Sequence, residues 1–189
     1  MSFFASALFL AIAAQTPAHE AAEPWVHAVS TPVVVDGVLT EWPRRDALTL
    51  DHAEQVARDD QGAAAWQGPD DASLTLFLAW DDEALYFAGE VKDDHRVHDD
   101  RVWWDGDCIE LFFDTDLTRQ SAQAVWGDDD VQLCLMPYNA GRPWGVAKHG
   151  RSFLLSDGGF EGVTVAAQST RGAGYTFEAR LPFANFPNL

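Results

Sequence analysis

Trp103, Trp104, Asp107 and Glu110 fall within one short run, Trp103-Trp104-Asp105-Gly106-Asp107-Cys108-Ile109-Glu110-Leu111-Phe112-Phe113-Asp114. The Asp-Gly pair marks a tight turn that leads directly into an alternating strand. Alternation sends Cys108 and Glu110 to one face and Ile109, Leu111 and Phe113 to the other. A carboxylate beside an exposed indole suits a sugar: the ring covers the apolar face of a pyranose, and the carboxylate accepts hydrogen bonds from its hydroxyls. Only one of two neighbouring Trp can face a core, so Trp104 is the expected stacking platform and Trp103 its inward neighbour. Trp144, in Gly141-Arg142-Pro143-Trp144-Gly145, reads as part of a flexible loop that either covers such a site or anchors its own tip. No nucleophile stands beside a base in this run. It reads as a binding surface.

Other chemistries have weaker support. A glycosidase needs two carboxylates about 5 Å or about 6.5–9.5 Å apart, and with 30 acidic residues Asp107 and Glu110 are one of many pairs that could meet this. No Ser-His-Asp order and no glycine-rich phosphate loop is present. The run from Asp93 to Asp100 holds four carboxylates and two imidazoles, and Asp128-Asp129-Asp130 is a second acidic run. Such oxygen-rich loops suit calcium, with Asp93 and Asp94 as candidate ligands, although the spacing of a helix-flanked calcium loop is missing. His95-x-x-His98 outside a helix is a weak zinc signal. Cys108 and Cys134 fall on the same face if their strands pair, near one another but a register step apart, which leaves a disulfide open.

The chain has 189 residues, 47% of them hydrophobic, enough for a substantial core. Twelve basic against 30 acidic residues leave a net charge of -18. That field repels phosphate backbones and anionic lipid, so neither nucleic acid nor a membrane surface is an expected partner. Eight Trp are many for this length. Phe3 to Ala14 is an apolar run too short to span a bilayer, and Ala11-Ile12-Ala13 offers a cleavage site. Residues 1–22 therefore read as signal peptide and linker, and residues 23–189 as one exported, monomeric domain.

What must position the candidate residues is a series of strands. Candidates are Val33–Val35, Ala47–Leu50, Ser73–Trp80, Ala84–Lys92, Cys108–Phe113, Val131–Met136, Gly162–Ala167 and Tyr175–Leu181. Ser73–Trp80 and Ala84–Lys92 flank Asp81-Asp82-Glu83 and form a hairpin. No segment carries apolar residues at helical spacing over three turns. Many short strands at this spacing predict an all-β fold, a two-sheet antiparallel β-sandwich of jelly-roll or immunoglobulin-like type.

Five short motifs, in order, resemble the family 9 carbohydrate-binding modules: Val35-Asp36-Gly37 with Glu41-Trp42; Trp80 to Tyr86; Val91-Lys92-Asp93-Asp94; Trp104 to Asp114; and Gly174 to Pro182. The resemblance implies a sandwich, often with calcium, that binds polysaccharide ends or small sugars of the xylan and cellulose type without cleaving them. Such modules usually ride on secreted glycosidases. Trp104 sits where the family has one of two stacking tryptophans, and Glu110 where it has a sugar-contacting carboxylate. Cys134 and Met136 stand on the next strand, where sugar-binding members carry polar residues. The family's second stacking Trp belongs to a C-terminal segment that this chain lacks. Two alternatives follow from those departures. One is a structural or protein-interaction sandwich without the sugar site. The other is a haem-binding relative that uses Met136 and a histidine.

Overall fold

The computed structural model describes residues 26–29, 33–45, 47–56, 66–95, 97, 106–114, 130–139, 142–149, 161–170 and 172–186. These hold nine strands: β1 (His27–Ala28), β2 (Leu48–Leu50), β3 (Ala72–Trp80), β4 (Ala84–Asp93), β5 (Ile109–Asp114), β6 (Asp130–Asn139), β7 (Arg142–His149), β8 (Thr164–Thr170) and β9 (Gly174–Pro182). Three single turns of 3-10 helix, Leu39–Glu41, Ala53–Gln55 and Phe183–Asn185, are the only helical elements among the described residues. None of the described helices is long and apolar enough to cross a membrane.

Alternation in the sequence dictates two stacked sheets. A six-stranded sheet runs β1-β3-β4-β9-β8, with β2 also paired to β3, and a three-stranded sheet runs β5-β6-β7. Every pairing is antiparallel except that of β1, which runs parallel to β3. Leu74 and Leu76 of β3, Phe87 of β4 and Phe177 and Leu181 of β9 face Ile109 of β5 and Val131, Leu133 and Leu135 of β6 in one core. Phe113 links the layers, its ring centroid 5.8 Å from those of both Phe87 and Phe186. Fully burying such side chains contributes about 1.5–3 kcal/mol each. The expected sandwich is present.

The second face of the large sheet is also covered. Phe77 and Ala79 of β3 and Ala84, Tyr86 and Ala88 of β4 pack beneath Leu39 and Trp42. This N-terminal strap is held by one buried carboxylate. Glu178 accepts the backbone N–H of Asp36 at 2.9 Å and of Gly37 at 2.6 Å, and the indole N–H of Trp42 at 2.7 Å. Burial pushes its carboxyl above the usual range, and the three donors pull it partly back. Gly37 has φ +83°, and a Cβ there would meet Ala167 backbone at 3.0 Å. Only glycine suits that turn.

A polar clamp closes the β3–β4 hairpin. Asp81 accepts the backbone N–H of Glu83 and Ala84 on one oxygen and the Tyr86 hydroxyl on the other, at 2.7 Å. Arg180 donates to Tyr86 at 3.4 Å and to Glu83 at 3.1 Å. Burial raises the Asp81 carboxyl, but the Tyr86 and backbone hydrogen bonds and the Arg180 charge outweigh it and hold it low. A lowered carboxyl stabilises the fold above its unfolded pKa, and that contribution is lost as pH falls through the folded value. Asp81→Asn is therefore expected to lower stability near neutrality by less than about 1 kcal/mol, since the group is solvent-accessible. Thermal melts from neutral to acid pH should show the gap to wild type closing below the ordinary aspartate range. A gap that widens in acid contradicts this. Tyr86 behaves in the opposite sense: burial and Asp81 raise its hydroxyl pKa, so its contribution is full at neutrality and lost in strong alkali.

Several sequence expectations are corrected. Val33–Val35 forms no strand; it feeds the Gly37 turn, where Glu178 takes the Asp36 and Gly37 amides. His27–Ala28, not among the expected strands, forms β1. Trp144 lies in β7 rather than on a flexible loop, with its backbone paired to Met136. The Gly and Pro around it read as loop punctuation. The pairing absorbs them through a register irregularity between Met136 and Asn139, opposite Arg142 to Trp144, where the missing Pro143 N–H is tolerated.

Candidate functional site

The three-stranded sheet has one face in the core and one turned outward. Ile109, Leu111 and Phe113 point inward, as alternation predicts. Cys108, Glu110 and Phe112 take the outer face with Gln132, Cys134 and Met136 of β6. Register fixes the neighbours: Glu110 lies opposite Cys134, and Phe112 opposite Gln132. Exposure falls steeply along this face, from 47% at Phe112 to 8% at Glu110, 2% at Met136 and 0% at Cys134. One end offers an aromatic ring and an amide to solvent. The other end is closed.

At the closed end the sulfurs of Cys108 and Cys134 and a carboxylate oxygen of Glu110 lie within 4.8 Å of one another. Both cysteines are free thiols, Cys134 buried and Cys108 half-buried. Hydrogen bonding with Cys108, burial and the charge of Glu110 push the Cys134 thiol far up. Both thiols share the face the sequence assigned them, and no bond joins them.

The other candidates are placed as follows. Asp107, half-buried, closes a loop: its N–H donates to the Val97 carbonyl at 2.8 Å, and its carboxylate accepts the Val97 N–H at 2.9 Å. That clamp sets where the chain enters β5. Glu110 is more enclosed than a carboxylate freely presented to a sugar. Trp103 and Trp104 lie outside the described residues, as does the side chain of Trp144. Asp93 accepts the His95 N–H at 2.9 Å, and the Asp94 N–H donates to the Asp71 carbonyl. Calcium takes six to eight oxygens, and no third acidic or imidazole group converges on Asp93 and Asp94 among the described residues. These two do not by themselves fit calcium. Asp99, Asp100, Asp128 and Asp129 lie outside the described residues. Met136 packs with Cys134 and Cys108, and no described histidine belongs to that ligand group.

Sequence reasoning passed over Phe112 and Gln132. The signal was available, since alternation that sends Phe113 inward sends Phe112 to the face of Glu110. Glu178 was missed in another way: within the Gly174–Pro182 motif it looks like a solvated strand glutamate.

A family model described as "Carbohydrate family 9 binding domain-like" matches residues 46–188. No curated protein matches the chain. Among solved structures, a family 9 carbohydrate-binding module from Caldicellulosiruptor kristjanssonii in complex with cellotriose is similar, with TM-score 0.55 and 19% identity over 83% of this chain. This chain spans 66% of that one, just under two thirds. A second structure of such a module from the same organism, in complex with glucose, gives TM-score 0.52 and 18% identity, covering 86% of this chain and 69% of that one. At such identities the likeness shows the fold. The family model spans most of the sequence, and both sheets lie largely within it, so the chain belongs to the carbohydrate family 9 binding domain-like family.

Proposed function

We propose that this protein binds carbohydrate without transforming it, on the outer face of the β5–β6–β7 sheet. The observation that carries this is an exposed aromatic, Phe112, opposite an amide, Gln132, on a strand face in a member of this family. An aromatic face with adjacent amide donors and acceptors is the chemistry a pyranose requires. The similar modules bound to cellotriose and glucose support β-linked glucans and small sugars as the ligand class. Trp104, two residues before Gly106 in the sequence, is the proposed stacking platform. Trp103 and Trp144 are further aromatic candidates. Asp107 positions the entry to β5 through Val97, and Glu110, 8% exposed on the same face, is the proposed sugar-contacting carboxylate. The protein is proposed to be exported through residues 1–22, to act as a monomer, and to serve polysaccharide catabolism beside a glycosidase.

Trp104→Ala is expected to weaken binding about tenfold or more, since a stacking contact contributes about 1–3 kcal/mol. It should leave thermal stability nearly unchanged, whereas Trp103→Ala, if inward, costs about 3–5 kcal/mol. Calorimetry against glucose, cellotriose and xylan oligomers, with melts of both variants, makes the comparison. A large stability loss at Trp104 with none at Trp103 reverses the assignment of the two faces.

A second reading draws on the exposed Phe112 of the same face, with Cys134 and Met136 buried beyond it in place of polar groups. An exposed aromatic over an apolar interior suits a protein partner. Failure of every tested sugar and polysaccharide to bind the folded protein would favour it over the first.

A further inference from the structure

We propose that Cys108, Cys134 and Glu110 form a zinc site, with two thiolates, one carboxylate and a fourth position for solvent. The proposal rests on the placement of three ligand-type side chains by two paired strands. Glu110 and Cys134 are direct cross-strand partners, and Cys108 lies two residues before Glu110 on the same face. Their ligand atoms already lie within 4.8 Å of one another. Tetrahedral zinc, with Zn–S about 2.3 Å and Zn–O about 2.0–2.2 Å, needs ligand atoms about 3.4–3.8 Å apart.

The donor set chooses the metal. Two thiolates are soft ligands that disfavour calcium and magnesium. The carboxylate is a hard donor that suits zinc better than monovalent copper. It is the only group of three or more such ligands that converges among the described residues.

Geometry also disfavours the competing fate of the two thiols. Cys108 and Cys134 are a diagonal pair, because the direct partner of Cys134 is Glu110. Diagonal neighbours on antiparallel strands have Cα atoms about 7–8 Å apart, beyond the usual disulfide range of about 4.4–6.8 Å. A metal ion spans such a sulfur–sulfur gap more readily than a disulfide does. Bound there, it ties the chain just after Asp107 to the middle of β6. The turn entering β5 is then fixed from both sides, by Val97 through Asp107 and by the metal through Cys108.

The test uses the reduced full chain, with Zn2+ titrated against a chromophoric chelator and Co2+ as the optical probe. One Zn2+ per chain is expected, with a rise in melting temperature. Co2+ should give a thiolate charge-transfer band and tetrahedral ligand-field bands. Cys108→Ser and Cys134→Ser should each weaken Zn2+ binding by at least about a hundredfold, the upper end of what losing a supporting contact costs. Glu110→Gln should keep the charge-transfer band with weaker affinity. Cys108 is half-buried, so Cys108→Ser carries the test if Cys134→Ser does not fold. Zn2+ affinity unchanged in Cys108→Ser, Co2+ bound without a thiolate band, or a native Cys108–Cys134 disulfide with no metal uptake would each overturn the proposal. Sugar binding is not read in this experiment, so its outcome is independent of the proposed carbohydrate function.

Discussion

Glu178→Ala is expected to destabilise the protein by about 3–5 kcal/mol, with unfolding moved to markedly lower urea. The substitution orphans three donors at once: the amides of Asp36 and Gly37 and the indole of Trp42. An unsatisfied buried donor costs about 1–3 kcal/mol. Water can reach the Asp36 amide more readily than the other two, which keeps the total below the simple sum. Glu178→Gln should fall between wild type and alanine, because the amide oxygen still accepts while its NH2 faces a donor. Limited proteolysis adds a local readout: in Glu178→Ala, residues 33–45 should be cut well before the sheets unfold. Urea curves of the alanine variant within 1 kcal/mol of wild type would show that the carboxylate does not hold the strap.

Substitution at Phe177 should be nearly as severe, about 3–5 kcal/mol for Phe177→Ala. Its ring is fully buried and lies directly against Gly89 on the neighbouring strand. A methyl at Gly89 would overlap the Phe177 ring, with Leu74 close behind it. Gly89→Ala is thus an overpacking mutation, expected to cost about 1–3 kcal/mol. Because one site lacks the room the other fills, the pair should be strongly non-additive. Gly89→Ala combined with Phe177→Leu should be more stable than the sum of the single effects predicts, by about 1 kcal/mol. Equilibrium unfolding of the four proteins gives the coupling. Strict additivity would mean that the ring can swing away from Gly89 at no cost.

These two positions show why part of the fold was legible and part was not. β3 and β4 could be read directly, because their alternation runs without a break across a short acidic turn. β5 and β6 were legible from their own alternation, and their register places Ile109 and Leu135 on one face. β7 was not, since Gly141, Pro143 and Gly145 carry strong local turn signals that tertiary pairing overrides. Val33–Val35 failed in the reverse direction: a β-branched run has the propensity, but its neighbours' hydrogen bonds go to a side chain 142 residues away. No local pattern marks Glu178 as buried, because its three donors all lie in residues 36–42, more than 130 residues earlier in the chain. At the candidate site, the shared face of Cys108, Glu110 and Cys134 was legible. Its enclosure was not, since alternation says which way a side chain points and nothing about what covers it.

The strap on Glu178 also constrains the order of events in folding. Residues 36–42 have no sheet partner, and what fixes them is a strand that follows more than 130 residues later. Closing so long a loop has an entropic cost that grows only slowly with length, but it must be met before the contact gives any return. The strap can therefore lock only after β9 has docked beside β4. Until then the packing of Leu39 and Trp42 over Phe77, Ala79 and Ala88 lacks its polar anchor. A chain emerging from its N-terminus can assemble the β3–β4 hairpin early and the β5–β6 pair soon after. Its first segment becomes the last to set, so completion of the fold is a late, all-or-none step gated by β9.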